Sequence, residues 1–233
     1  LLAVTTFKGD EPYVIRCLET FSKHWPCKLI AYYEVKPDFE HEKIEYRDFF
    51  QIPGVEKYLK EIEKVPGSDG HTEKGYDYRF NASKFCRKVF AQNSVFDESK
   101  RIFFIGSDVH THRDIPSEFL VGLVTDYPFA YLGRMNTWTE TDFLGFNTHH
   151  PEFARFRERY LSLFTTGRIF QRTDGWHDCF VFDMAREGIK GNNISPNGKD
   201  VDHVFVESIL GKYMDHLKGP TRKKLGYSPE RKW

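Results

Sequence analysis

No stretch of this 233-residue chain strings together the ~18 apolar residues that a membrane-spanning helix requires. Cysteine is scarce and scattered: Cys17, Cys27, Cys86 and Cys179 form no C-x-x-C pair, so neither a zinc knuckle nor a dithiol redox motif is present. Buried thiols in a reducing cytosol are the expectation. Net charge is also missing, with 34 basic residues against 34 acidic ones. That balance excludes a wholly basic nucleic-acid coat and an acidic solvating tail. Two phosphate signatures are absent: no G-x-x-x-x-G-K-[ST] loop occurs, and no G-x-G-x-x-G follows the first strand. A nucleotide would therefore be held by other means.

Aromatic residues, by contrast, make up 16% of the chain, too many for a disordered polymer. The opening LLAVTTF is only seven residues long and no basic segment precedes it, so it reads as a buried strand rather than a signal peptide. Asp10 is the expected cap of a helix with Pro12 in its first turn. Val14, Leu18, Phe21 and Trp25 then share one face, and Pro26 ends the helix. Residues 28–34 (KLIAYYE) supply a second buried strand. Strand, helix and strand at this spacing predict a βαβ unit and a parallel sheet.

Further on, the pattern predicts a short helix near 55–65, a mobile loop over 67–75 and a long helix over 79–96. The clearest buried strand is residues 101–107 (RIFFIGS). A helix at 117–124, strands at 129–132 and 143–146, a helix at 151–164, and a helix or strand at 179–185 follow. Residues 192–200 read as a loop. No repeat and no interdomain linker stands out. A single α/β domain, 1–233, is the simplest organisation, with a basic segment over 212–233 that holds seven basic residues against two acidic ones.

The strand at 101–107 runs into Asp108-Val109-His110-Thr111-His112. Ligands of open α/β sheets bind beyond the carboxyl ends of strands. In extended chain, residues i and i+2 point to one side, so Asp108 and His110 would reach one divalent cation as an oxygen and a nitrogen donor. A polar strand end with a capping Asp is the plainer alternative. His110 and His112 could instead be the H-x-H pair of a metal-dependent hydrolase, completed by ligands such as His149, His177, His203 or His216. Near the other end, His216-Leu217-Lys218-Gly219-Pro220 precedes Arg222, Lys223 and Lys224. Lysine charge and a glycine that admits close backbone approach suit a diphosphate. A solvated basic tail, or a non-enzymatic nucleic-acid-binding surface with Tyr213, Tyr227 and Trp233 among the cations, fits the same residues.

A strand ending in Asp-x-His, with a late His and Lys-Gly, resembles the GT-A class of nucleotide-sugar glycosyltransferases. The order of motifs is most similar to the glycogenin and lipopolysaccharide-galactosyltransferase branch, and to uncharacterised phage and bacterial proteins. The segments concerned are 3–7, Tyr78-Arg79, 105–110, 139–147, Trp176-His177-Asp178 and His216–Gly219. His110 stands where that pattern more often has a second Asp.

The resemblance implies a Rossmann-like GT-A domain with a mostly parallel sheet flanked by helices. It implies Mn²⁺ or Mg²⁺ on Asp108, His110 and His216. Thr5, Thr6 and Phe7 would line the base and ribose site of a nucleotide-diphosphate sugar, UDP-sugar favoured. Arg79, Asp108, His177, Lys218 and Gly219 would also contact that donor. Asp178 would orient the sugar, and Glu140 or Asp142 would face the acceptor. A retaining outcome, which that branch implies, needs no dedicated base. The acceptor would be a hydroxymethylated base in phage DNA or a surface glycan, in the cytoplasm of a bacterium or an infected host.

Overall fold

A computed structural model describes residues 1–196 and 203–231, so part of the loop expected over 192–200 and the last two residues of the basic segment lie outside the described residues. The chain opens with β1 (Leu2–Phe7), α1 (Pro12–His24) and β2 (Lys28–Tyr33). β1 and β2 pair in parallel, Leu2 opposite Lys28 and Phe7 opposite Tyr33, which is the expected βαβ unit. The start of α1 differs in detail. Its N-cap is Glu11 rather than Asp10, with no side-chain cap bond, and Pro12 opens the first turn where its missing N–H costs nothing. Trp25 closes the helix face by stacking on Phe21 at 4.9 Å and donating its indole N–H to Thr111 Oγ1 at 2.8 Å.

β3 (Ile44–Asp48), α2 (Val55–Ile62), and the hairpin strands β4 (His71–Thr72) and β5 (Gly75–Tyr76) follow. Then come α3 (Ala82–Ser94), β6 (Arg101–Ile105), β7 (Val109–Thr111), α4 (Ser117–Val124), β8 (Phe129–Leu132) and β9 (Glu140–Asn147). α5 (Phe153–Thr165), α6 (Asp178–Ala185), β10 (Asn192–Asn193), α7 (Val204–Glu207), β11 (Met214–His216) and α8 (Gly219–Leu225) complete the order. Three expectations are corrected. Residues 67–75, expected as a loop, contribute to a hairpin. Residues 78–80 form a separate 3-10 turn before α3. The strand expected at 143–146 begins earlier, at Glu140.

The central sheet has seven strands in the order β10-β8-β9-β6-β1-β2-β3. Every neighbouring pair is parallel except those of β9, which runs antiparallel to both β6 and β8. Strand alternation divides the core in two. Val4, Ile102, Phe104, Leu144 and Phe146 face the layer of α2, α3, α5 and α6. Ala3, Leu29, Phe103, Ile105 and Phe143 face the layer of α1, α4 and α7. The surplus of aromatics is spent largely here: Phe129, Phe146, Phe153, Phe156, Tyr160 and Phe182 form one contiguous ring cluster. Among the described residues, no helix is long and apolar enough to cross a membrane.

Candidate active site

β6 ends at Ile105, and the chain turns through Gly106-Ser107-Asp108, with the Val109 N–H closing the turn on the Gly106 carbonyl at 3.0 Å. It re-enters as β7, which pairs antiparallel with β11. Asp108 therefore sits in a turn, where the two-residue period of a strand does not apply. The Leu217 N–H donates to the Asp108 carbonyl at 3.0 Å, and this holds His216 beside Asp108. On the other side of β6, the Gly106 N–H donates to the Asp142 carbonyl at 2.9 Å. Gly106 is needed there: a β-carbon would stand 2.9 Å from Asp142 Cβ and Cγ.

The three side chains converge. His216 Nε2 lies 3.4 Å from Asp108 Oδ1 and 3.3 Å from Asp142 Oδ2. One donor atom from each residue falls within 4.8 Å of the others, which is a spacing one cation can bridge. Two carboxylate oxygens and an imidazole nitrogen suit Mn²⁺, and Mg²⁺ less closely. His110 is not part of this group. Opposite residues of an antiparallel pair share a face. His216 stands opposite Val109, and His110 stands opposite Asp215, so His110 and His216 project from opposite faces of the ribbon. His110 is buried, with the Tyr13 backbone beside its ring. Desolvation, with Arg16 nearby, pushes its pKa down to about 4, so it is neutral. His112 is half-buried, with the Lys212 backbone beside its ring.

A lysine that the sequence patterns did not single out anchors the site. Lys88 of α3 places Nζ 2.8 Å from Asp142 Oδ1 and 3.0 Å from Asp178 Oδ2. The available signal was its helical register: it lies three residues after Phe85 and next to Val89, on the side of α3 that faces the sheet. Burial opposes its charge, but Asp142 and Asp178 outweigh burial and hold its pKa well above the usual lysine range. Burial likewise opposes the Asp142 charge. Lys88 and His216 overcome it and keep that carboxyl far below the carboxylate range.

Asp178 opens α6, is 1% exposed and accepts from the Thr141 hydroxyl. The preceding His177 caps the helix, its Nδ1 accepting from the Phe180 N–H at 3.4 Å. Burial lowers the His177 pKa, so the ring is neutral and its proton sits on Nε2. Glu140 is buried between Lys218 Nζ at 2.9 Å and Arg134 at 3.5 Å. Lys218 is the N-cap residue of α8, and Gly219 follows with φ +79°.

A cleft of about 550 Å³ opens beside this group, lined by Thr6, Phe7, Tyr13, Glu34, Lys88 and Ser107 among others. Thr6 and Phe7 thus lie where a ligand can meet them. Thr5 does not: its buried hydroxyl is taken by the Ile105 carbonyl at 2.8 Å, a bond across the sheet. Arg79 is held by Asp77, with its nearest nitrogen at 2.6 Å, and lines a separate groove along residues 72–80.

In the metal-free protein, His216 has a testable titration. Burial alone would lower its pKa; Asp142 and Asp108 outweigh burial and raise it to about 9. A folded pKa above the unfolded value of 6.5 stabilises the fold fully below pH 6.5 and loses that contribution as pH rises through about 9. Melting in the presence of a chelator should therefore fall by about 5 °C from this group between those limits. His216→Gln should flatten that part of the profile; an unchanged slope would contradict the assignment.

No family model and no curated protein matches this sequence. Among solved structures, mouse xyloside xylosyltransferase 1 in its apo form is similar at 10% identity over 79% of this chain and 81% of that chain, with a TM-score of 0.45. The apo structure of the bifunctional glycosyltransferase WbbM is similar at 11% identity over 94% of this chain, with a TM-score of 0.50. This chain spans about half of WbbM's length, matching 46% of it. The likeness to WbbM is one of fold. With the sheet order above, the fold is a Rossmann-like GT-A arrangement: α/β, with a mostly parallel sheet flanked by helices.

Proposed function

We propose that this chain is a single-domain, divalent-metal-dependent glycosyltransferase of the glycogenin and lipopolysaccharide-galactosyltransferase type. It would move a sugar from a nucleotide diphosphate, UDP favoured, to a hydroxyl acceptor. The observation that carries the reading is the Asp108–Asp142–His216 group at the end of β6, whose neighbours Ser107 and Lys88 line a cleft of about 550 Å³. Asp108, Asp142 and His216 would hold Mn²⁺ or Mg²⁺. Bound there, the cation would neutralise charge growing on the departing diphosphate.

The remaining roles belong to the chain's own groups. Thr6 and Phe7 line the base and ribose side of the cleft. Asp178 and the Nε2–H of His177 orient donor hydroxyls, and Lys218 with the Gly219 backbone meets phosphate. Lys88 fixes Asp142 and Asp178 in place.

A retaining outcome is favoured by the state of the carboxylates. Asp108 and Asp142 are both held below the ordinary range, burial being overcome by cationic neighbours, and Glu140 is engaged by Lys218 and Arg134. None of them is poised as a general base near neutral pH. The acceptor proton would then pass to the departing phosphate oxygen. Two acceptors fit, a glycan hydroxyl and a hydroxymethylated base in DNA: Lys218, Arg222, Lys223 and Arg231 of the basic segment face carboxylates, while Lys212 and Lys224 are exposed.

The test is donor hydrolysis. The protein is incubated with a panel of nucleotide sugars and Mn²⁺, and release of nucleoside diphosphate is followed. One donor should be turned over, and Asp108→Asn should abolish its turnover. No release from any donor, together with no thermal shift by any diphosphate, would sink the reading.

A further inference from the structure

Asp108 already has a cation on each oxygen. Its Oδ1 faces His216, and its Oδ2 receives Lys223 Nζ at 2.9 Å. Lys223 comes from α8, and its ammonium lies 3.9 Å from the centre of the Tyr13 ring, which lines the cleft. The helix that carries it is anchored in an unusual way. None of its seven residues is buried. Ion pairs hold it instead: Lys223 to Asp108, Arg222 to Glu230, and Lys218 at its N-cap to Glu140. It begins at Gly219 and is followed by Gly226, both left-handed at φ +79° and +77°, and nothing lies within 4 Å of where a β-carbon at Gly219 would stand. A short exposed helix tied to the site through ion pairs, with a left-handed glycine at each end, can shift when the charges beneath it change.

We infer that Lys223 is a resident counter-cation of this site, which leaves Asp108 for the donor diphosphate when metal and nucleotide arrive. The inference rests on the reading that Asp108, Asp142 and His216 hold a metal. A divalent ion on Asp108 and an ammonium on the same carboxylate repel one another at such short range. The other site carboxylates also face cations: Lys88 serves Asp142 and Asp178, and Lys218 with Arg134 serves Glu140. A divalent ion that takes up Asp108 must displace the ammonium already on it, and Lys223 can swing away with α8. A diphosphate brought by the same ion gives the displaced ammonium a new partner, and Tyr13 marks the side of the cleft where that partner would lie.

The exchange predicts opposite effects of one substitution on two ligands. Mn²⁺ binding and UDP binding are measured by titration calorimetry on the full chain, for wild type, Lys223→Met, Lys223→Arg and Lys224→Met. Lys224 is exposed on the same short helix and controls for net charge. Without nucleotide, Lys223→Met should bind Mn²⁺ about tenfold tighter than wild type. At saturating Mn²⁺ it should bind UDP about tenfold weaker. Lys223→Arg and Lys224→Met should stay near wild type in both. If Lys223→Met and Lys224→Met behave alike, or if either affinity of Lys223→Met is unchanged while Mn²⁺ still binds, the exchange is overturned and the metal reading stands. If no variant binds Mn²⁺ with or without UDP, the metal reading itself falls, and the exchange with it.

Discussion

Lys88→Met is expected to destabilise the fold by about 3–5 kcal/mol, because it leaves two buried carboxylates facing one another without their shared cation. Lys88 is only 19% exposed, Asp142 18% and Asp178 1%, so solvent screens this cluster weakly. The three residues come from α3, β9 and α6, and the loss should loosen all three elements together. Urea denaturation of the metal-free protein measures it. A second substitution separates charge from packing: adding Asp178→Asn to Lys88→Met removes one of the orphaned charges and should recover a substantial part of the loss. A penalty below about 1 kcal/mol would show that the lysine is solvated and the ion pairs are loose.

The second large effect concerns which residue completes the proposed metal site. Asp142→Asn should reduce nucleotide-sugar turnover by about 10³-fold and remove the thermal shift produced by Mn²⁺ with UDP. His110→Ala should reduce turnover by less than about tenfold and leave the shift in place. The Asp108-x-His110 spacing in the sequence assigns these roles the other way round. The reverse order of effects would therefore restore His110 as the ligand and dismiss Asp142.

That contrast shows what local pattern could and could not convey. The βαβ opening, the β6 strand and the amphipathic face of α1 were legible, because each follows from alternation or helical spacing within one segment. β3 was not. Its sequence, IEYRD, is polar because it lies at the edge of the sheet, where Arg47 reaches Glu45 and Glu98 instead of a core. Asp108 and His216 were legible as candidates, since each sits in a conspicuous motif. Asp142 was placed on the acceptor side, because its contact with Asp108 depends on β9 pairing beside β6, which no spacing along the chain reveals. His110 was grouped with Asp108 for a related reason. The i, i+2 rule holds within a strand, but Asp108 is in the turn before β7, and the partner strand then fixes the face on which His110 stands. Lys88 was hidden among helix residues whose polarity looked like that of a solvent face. The basic segment was read by composition, and composition does not reveal that Lys218, Arg222, Lys223 and Arg231 already face carboxylates.

The reversed direction of β9 has a consequence for how such a site can change. In a wholly parallel sheet every residue at the ligand edge comes from a strand's end, and the loop that follows shapes the approach. β9 instead delivers Glu140 and Asp142 from its beginning, so the segment leading into it, with Arg134 and Trp138, borders the site. The cleft residues Thr6 and Phe7 sit on an independent stretch of chain. Two halves of the site therefore hang on separate loops. Residues 133–139 can lengthen, shorten or change chemistry, and so retune what approaches from that side, while the half lined by Thr6 and Phe7 keeps its shape.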